Sequence, residues 1–165
     1  MMKVVLFEPE IPFNTGSIGR TCVALNLELI LIKPYGFSLD DKTVARSGTR
    51  YWQFVKLSEY DSWGDFIETR KPDHDALFLF EEDAERNFYE PTYPDDAYLI
   101  FGKESSGLPM DFRAQMQDRM FHVPMRNDRV KSLNLSNVAT AVIYCLLYTS
   151  PSPRDLSTSR MPSSA

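Results

Sequence analysis

Short, unbroken apolar runs recur along the chain and are separated by polar segments. Strands covered on both faces of a parallel sheet lack strict alternation, so runs of this length predict buried strands. The strong runs are residues 3–7, 27–32, 76–80 and 97–101, and weaker strands are predicted at 52–57 and 121–125.

Apolar residues at helical spacing occupy the stretches between these runs. They predict helices at 15–26, 62–70 and 109–117, a short one at 40–47, and a last helix with Leu135, Val138, Ala139, Val142 and Leu146 on one face. Strands that alternate with helices in this way predict an α/β fold, with a mostly parallel sheet and helices on both of its faces.

Composition places the chain among ordinary globular proteins. Its 165 residues are 43% hydrophobic and 25% charged, which excludes collagen-like, coiled-coil and wholly disordered classes. No apolar run approaches the roughly 18 to 20 residues that span a bilayer, and acids stand near the N-terminus where a signal peptide has small residues. We therefore expect a cytoplasmic protein without membrane association.

The few cysteines and histidines favour neither disulfides nor a metal site. Cys22 and Cys145 are the only cysteines, so free thiols are expected. These two cysteines and the two histidines, His74 and His122, nowhere have the spacing of metal ligands. We expect an activity that needs no metal.

The net charge limits the kinds of nucleic-acid binding that are expected, and the composition of the last residues indicates a domain boundary. The net charge of −5 argues against a protein that coats nucleic acid nonspecifically, although a local basic site is compatible with it. Residues 146–165 contain six Ser, two Thr and three Pro. We expect one domain over residues 1–145, followed by an atypical Ser/Pro-rich tail at 146–165 that is either disordered or foreign to the gene.

Three chemically unusual loops follow predicted strands. They cover residues 8–20, 102–109 and 124–137. In parallel α/β folds the loops at the carboxyl ends of strands build the ligand site, so these three are expected to meet.

The first two loops contain the first candidate residues. Asn14 stands near a helix start, where a simple capping role is as good an explanation as a functional one, and Arg20 follows after about one helical turn. Glu104 lies between Gly102 and Gly107, and glycine lets a backbone approach a ligand closely. Neither the phosphate-loop nor the dinucleotide-binding glycine spacing occurs in the chain.

The third loop places three cations ahead of a polar helix start. Arg126, Arg129 and Lys131 are followed by Ser132, Asn134, Ser136 and Asn137. Any one of these small polar residues could cap the helix, but four exceed what capping requires.

Taken together, the loops resemble the SpoU branch of the SPOUT, or α/β-knot, methyltransferases. The similarity is strongest to the small bacterial members that methylate the wobble ribose of tRNA. The motifs are Glu8-Pro9-Glu10-Ile11-Pro12 with Asn14-Thr15-Gly16 and Arg20, Phe101-Gly102 with Glu104 and Gly107-Leu108-Pro109, and Val123-Pro124-Met125 with Ser132-Leu133-Asn134-Leu135-Ser136-Asn137. They fall in this order within residues 2–144.

The resemblance implies a C-terminal trefoil knot, a homodimer, and S-adenosylmethionine as the methyl donor, with S-adenosylhomocysteine as product. Carried over by position, the cofactor contacts would be Leu79, Gly102, Val123 and Ser132, where Leu79 is uncertain by one residue. The residues expected around the reacting ribose are Asn14, Arg20, Glu104, Ser132 and Asn134.

The implied reaction is 2′-O-methylation of a wobble cytidine or modified uridine. An arginine stays protonated at neutral pH, so we expect Arg20 to polarise the hydroxyl rather than act as a base, with Glu104 orienting Arg20 or Asn14. The candidates for holding the anticodon stem-loop are Lys42, Arg46, Arg50, Arg126, Arg129 and Lys131. Each of these cations taken singly could equally be a solvated surface charge.

The chain departs from the family at two positions. Arg50 stands where the family has an acid before a tyrosine, and Cys145 replaces an acid in the last helix. Two other functions stay open at this point. One is ribose methylation of another tRNA position or of rRNA, and the other is a knotted RNA- or cofactor-binding protein without turnover.

Overall fold

A seven-stranded parallel sheet forms the centre of the molecule. The computed structural model describes residues 1–40, 44 and 50–149. Its strands are β1 (Lys3–Phe7), β2 (Glu28–Ile32), β3 (Lys56–Tyr60), β4 (Leu77–Phe80), β5 (Arg86–Asn87), β6 (Tyr98–Phe101) and β7 (Met120–His122). They lie in the order β3-β2-β1-β6-β4-β7-β5, and every neighbouring pair is parallel.

Helices cover both faces of this sheet, as predicted. They are α1 (Pro12–Ala24), α2 (Trp63–Arg70), α3 (Met110–Gln115) and α4 (Leu135–Thr149). Alternate strand residues form two cores. Val4, Leu6, Leu29, Leu31, Phe78 and Leu99 pack with α1 and α4, whereas Val5, Phe7, Ile30, Leu79 and Ile100 pack with α2 and α3.

The N-terminal half differs from the sequence prediction in two places. Helix α1 begins at Pro12 rather than Thr15, since proline fits the first helical turn. The strand predicted at 52–57 is instead a 3₁₀ turn, Trp52–Phe54, followed by β3. A Cβ on Gly19 would lie 2.5 Å from the ring of Trp52, so this tryptophan packs closely on α1 instead of joining the sheet.

The C-terminal half differs mainly in its strands. Strand β5 has only two polar residues and gave no signal in the sequence. Strand β7 ends at His122 and not at Met125. Pro124 has no N–H to donate to a ladder, so the strand stops before it. The short helix predicted at 40–47 falls largely outside the described residues.

Both cysteines are free. Cys22 is buried between α1 and the sheet, and its burial raises the pKa of the thiol to about 12. A neutral thiol of this kind behaves as a small apolar core residue.

Candidate active site at the carboxyl edge of the sheet

A cavity of about 450 Å³ opens where the loops after β1, β4, β6 and β7 meet. Its residues are Ile11, Asn14, Phe80, Glu81, Glu82, Phe101, Gly102, Lys103, Glu104, Ser105, Gly107, Val123, Met125, Lys131, Ser132, Leu133, Asn134, Leu135 and Val138. All three loops predicted to build a ligand site therefore contribute to one cavity. Its size is within the usual range for small-molecule sites.

Glu104 anchors the loop after β6 to the start of α1. Its carboxylate accepts hydrogen bonds from the backbone N–H groups of Glu10 (2.8 Å) and Ile11 (3.1 Å) and from Asn14 Nδ2 (3.3 Å). Ile11, the residue before the first helical turn, has no side chain that can cap α1. A carboxylate 90 or more residues away in sequence thus takes the capping position, where the helix dipole favours a negative charge.

Glu10 returns the contact in the opposite direction. Its carboxylate accepts hydrogen bonds from the backbone N–H and the hydroxyl of Ser105, both at 2.9 Å. These two bonds, the backbone one foremost, lower the pKa of Glu10. Lys103 Nζ lies 2.6 Å from Glu8 Oε2, and this pairing raises the pKa of Lys103. The two loops are therefore held together by reciprocal polar contacts.

Asn14 extends the contact to the third loop. Its side chain is buried, and its Oδ1 accepts a hydrogen bond from Asn134 Nδ2 at 3.1 Å. Asn134 Oδ1 in turn accepts from the backbone N–H (2.9 Å) and hydroxyl (2.6 Å) of Ser136. The simple capping explanation is thus correct for Asn134, which caps α4, whereas Asn14 lies inside α1 and links Glu104 to Asn134.

The loop after β6 folds back on itself at its two glycines. A Cβ on Gly102 would lie 2.5 Å from the carbonyl carbon of Gly107, and Gly107 has a φ of +66°. Backbone bonds between Lys103 and Gly107 close the turn. Only glycine fits this approach, so the backbone of the loop is exposed toward the cavity.

Glu81 is a site residue that the sequence analysis missed. It follows β4 directly, is only 9% exposed, and its Oε1 accepts a hydrogen bond from the backbone N–H of Leu108 at 2.6 Å. Burial raises the pKa of this carboxyl group, and the bond from Leu108 acts in the opposite direction. One signal could have found it, since an acid immediately after a buried strand lies at the edge where parallel sheets bind ligands.

Three of the four expected cofactor contacts border the cavity. Gly102, Val123 and Ser132 are cavity residues. Leu79 is fully buried in the core beside α2 and α3, and the next residue, Phe80, borders the cavity instead.

Arg20 is not brought to the cavity of its own chain. Its guanidinium lies over the ring of Tyr51, with Cζ 4.9 Å from the ring centroid. Within the described residues it has no hydrogen bond or ion pair, and Glu104 bonds Asn14 rather than Arg20. Of the five residues expected around the ribose, Asn14, Glu104, Ser132 and Asn134 border one cavity, and Arg20 lies apart from it.

The predicted basic residues are exposed where the structure describes them. Arg126, Arg129 and Lys131 lie on the loop between β7 and α4, and Lys131 borders the cavity. Arg50 is exposed beside Tyr51. Lys42 and Arg46 lie outside the described residues.

The described parts of the chain contain neither a metal-ligand cluster nor a membrane-spanning helix. Across residues 1–40, 44 and 50–149, no three His, Cys, Asp or Glu side chains are grouped as metal ligands would be. None of the helices in these segments is long and apolar enough to cross a membrane.

The chain is similar to a known family over most of its length. The model of the SpoU rRNA Methylase family matches residues 1–145. A curated relative from Geobacillus stearothermophilus, named "Putative tRNA (cytidine(34)-2′-O)-methyltransferase", is 40% identical over 146 residues, which cover 87% of this chain and 91% of the relative.

Solved structures give the same picture. One described as "Structural insights into the 2-OH methylation of C/U34 on tRNA" has a TM-score of 0.82 and 35% identity, covering 96% of this chain and 97% of its own. The SpoU methyltransferase AviRb from Streptomyces viridochromogenes, in complex with AdoMet, has a TM-score of 0.75 and 26% identity over 90% of this chain and 57% of its own.

The Glu10 contact makes stability depend on pH. The folded-state pKa of Glu10 is lowered from its ordinary 4.5, so its contribution is present above pH 4.5 and is lost as the pH falls through the lowered value. Glu10→Gln should therefore reduce the free energy of unfolding at pH 7, and the difference from the wild type should shrink as the pH falls below 4.5, measured by urea unfolding across this range. Glu68→Gln, on the exposed face of α2, is the control and should show no such pH dependence. A Glu10→Gln difference that is constant or grows in acid would contradict the assignment.

Proposed function

The chain belongs to the SpoU rRNA Methylase family, and from this premise we propose that it methylates the ribose 2′-hydroxyl of the wobble nucleotide of a tRNA. The nucleotide is position 34, the position that appears in the name of the relative from Geobacillus stearothermophilus. It is either cytidine or a modified uridine. S-adenosylmethionine is the methyl donor. One observation carries the proposal: the hydrogen bonds that link Glu104 to Asn14 and Asn14 to Asn134 bring three separate loops to one cavity.

The cavity fits the proposed cofactor. Its inner end has buried aromatic rings from Phe80 and Phe101, and its rim has exposed polar groups such as Ser132 and Lys131. Gly102 presents backbone rather than a side chain to the same space. An apolar inner end with polar groups at the mouth suits an adenosine with a charged amino-acid end.

S-adenosylmethionine supplies, when bound, a methyl group on a positively charged sulfur. Asn14, Asn134 and the loop at Gly102 are held rigidly by their mutual hydrogen bonds, so they can fix the geometry of two reacting groups. Alignment of this kind is worth roughly 7–11 kcal/mol of a barrier. No metal is needed for such a displacement.

Arg20 is proposed as the group that stabilises the developing charge on the 2′-oxygen. A guanidinium stays protonated at neutral pH, so it donates hydrogen bonds and does not accept the proton, which passes to a substrate phosphate or to water. The guanidinium is held over the ring of Tyr51. Arg50, Arg126, Arg129 and Lys131, together with Lys42 and Arg46, are proposed to contact the phosphates of the anticodon stem-loop.

A homodimer is part of the proposal. Arg20 does not border the cavity of its own chain, so Arg20 of a second copy can complete the site. Helix α4 also leaves two aromatic side chains exposed, Tyr144 (43%) and Tyr148 (73%), whose rings stack on each other. Exposed aromatic groups of this kind are typical of protein interfaces.

The finer features of the fold are proposed on the same premise. A trefoil knot in the C-terminal third is proposed from membership of the family, whose model spans residues 1–145. The functional domain is proposed to be residues 1–145, which the family model spans, and 146–165 a tail foreign to it. Helix α4 continues to Thr149, four residues past that boundary. A tRNA substrate also supports the expected cytoplasmic location.

Methyl transfer to a defined tRNA position tests the function. The protein should transfer label from methyl-labelled S-adenosylmethionine to tRNA that lacks ribose methylation, and nuclease mapping should place it on the 2′-oxygen of nucleotide 34. The matched control is the same tRNA with a 2′-deoxy residue at position 34, which should accept no label. Label at another tRNA position or in rRNA would correct the substrate, and cofactor binding without transfer to any RNA would overturn the enzymatic function.

Arg20 variants test the assigned role. Arg20→Ala and Arg20→Lys should lower kcat about 100-fold or more, because removal of one preorganised donor to a developing oxyanion costs roughly this much. The affinity for S-adenosylmethionine should stay within about twofold, since Arg20 is assigned to the 2′-oxygen of the substrate and not to the cofactor. Arg86→Ala, on the edge strand β5, is the control and should retain kcat. Normal turnover of both Arg20 variants would show that Arg20 has another role.

The dimer can be measured directly. Sedimentation equilibrium should give about twice the 19.0 kDa chain mass, and Tyr144→Asp should shift the protein toward monomer and reduce methyl transfer. Tyr89→Asp is the matched control, because Tyr89 is 65% exposed but lies outside α1 and α4. A wild-type monomer with full activity would refute the shared site.

A further inference from the structure

Glu81 is the unusual ionisable group of the cavity. Among the residues that the structure describes, the buried polar or charged side chains are Asn14, Thr15, Glu81 and Ser136, so Glu81 is the one carboxylate in this set. It nevertheless borders the cavity. Its backbone N–H donates to the carbonyl of Phe121 at 3.0 Å, which fixes its place directly after β4.

The protein fills only a small part of the hydrogen-bonding capacity of the Glu81 carboxylate. An ionised carboxylate has about four acceptor sites, and here a single donor, the Leu108 N–H, occupies one of them. The nearby cation, Arg113, hydrogen-bonds Asp83 instead. No other hydrogen bond to the Glu81 side chain is formed within the described residues. Because Glu81 borders the cavity, its remaining acceptor sites are open to donors of a ligand there.

The surrounding loop is shaped around the carboxylate. A Cβ on Gly107 would lie 2.6 Å from Glu81 Oε2, so the absence of a side chain there makes room for the acid. The hydrogen bond to Leu108 needs only an oxygen acceptor, which a glutamine would also supply. The negative charge itself is therefore not explained by contacts within the loop.

Depth in the cavity indicates which part of a ligand meets Glu81. The next residue back, Phe80, is 8% exposed and stacks on Phe101, which is 1% exposed. At the rim, Ser105, Lys131 and Ser132 are exposed and Glu104 is half-buried. A ligand with an apolar ring system and a zwitterionic end places the rings at the buried end, and the groups attached to those rings then lie beside Glu81.

We propose that Glu81 binds the nucleoside part of the methyl donor by accepting hydrogen bonds from its ribose hydroxyls. This inference rests on the proposed function, which supplies the identity of the ligand. A vicinal diol offers two neutral donors to one carboxylate, and a carboxylate just past the end of a parallel strand is a general arrangement for ribose. Donors from the ligand would complete the hydrogen bonding that the protein leaves open.

The first experiment is a charge-removing variant of the same shape. Glu81→Gln keeps an oxygen acceptor for Leu108, so its melting temperature should stay close to that of the wild type. Its Kd for S-adenosylmethionine and for S-adenosylhomocysteine, measured by calorimetry, should rise about 10- to 100-fold, as expected for loss of hydrogen bonds to a charged group. Glu85→Gln, on the same loop but away from the cavity, is the control and should bind within about twofold of the wild type.

A change in the ligand separates direct binding from a structural role. Adenosine and 2′,3′-dideoxyadenosine are compared as competitors against both proteins. Glu81→Gln should weaken the binding of adenosine but leave the affinity for dideoxyadenosine nearly unchanged. The effects of the substitution and of removing the ribose hydroxyls are then not additive. Equal losses for both nucleosides would overturn the proposal, as would unchanged cofactor affinity of Glu81→Gln. Wild-type protein that binds neither S-adenosylmethionine nor S-adenosylhomocysteine would instead overturn the proposed function and this inference with it.

Discussion

The carboxylate of Glu104 is the contact on which the site depends. It lies at the start of α1, a helix without a cap of its own, and accepts three hydrogen bonds there. The backbone N–H groups at and just before a helix start need acceptors, and Glu104 supplies one to Glu10 and one to Ile11 from the loop after β6. Because the same carboxylate also holds Asn14, one interaction both completes a helix and orients a side chain of the cavity.

The packing of α1 against α4 also positions the third loop, which precedes α4. Helices α1 and α4 lie on the same face of the sheet, where the hydroxyls of Thr21 and Thr140 are 2.9 Å apart. The contact between Asn14 and Asn134 continues this pairing at the helix starts. The loop before α4, with its cations and Ser132, is therefore positioned by the core rather than by its own sequence.

The electrostatics of the site combine acids inside with bases outside. The chain is acidic overall, with a net charge of −5, and several carboxylates border the cavity. Lys131 borders the cavity, and Arg126 and Arg129 are exposed on the same loop. RNA affinity in such a protein must come from local cations, since the average charge of the surface repels phosphate. Glu81 shows the other side of this arrangement, because burying an acid costs free energy that a ligand with donors can offset.

The sequence by itself determined the strong buried strands, the helices between them, the parallel sheet and the loops that form the site, but not the two-residue strand β5. These follow from local patterns, since apolar runs and helical spacing report burial directly. Asn14, Glu104 and Asn134 were named from the sequence, and they do meet. Tertiary structure alone decided that Glu104 bonds Asn14 and not Arg20, that Arg20 lies on Tyr51, and that Trp52 packs on Gly19 instead of entering the sheet. It also decided the burial of Glu81. These features depend on contacts between residues far apart in the chain, and a local sequence pattern does not specify which distant residues come together.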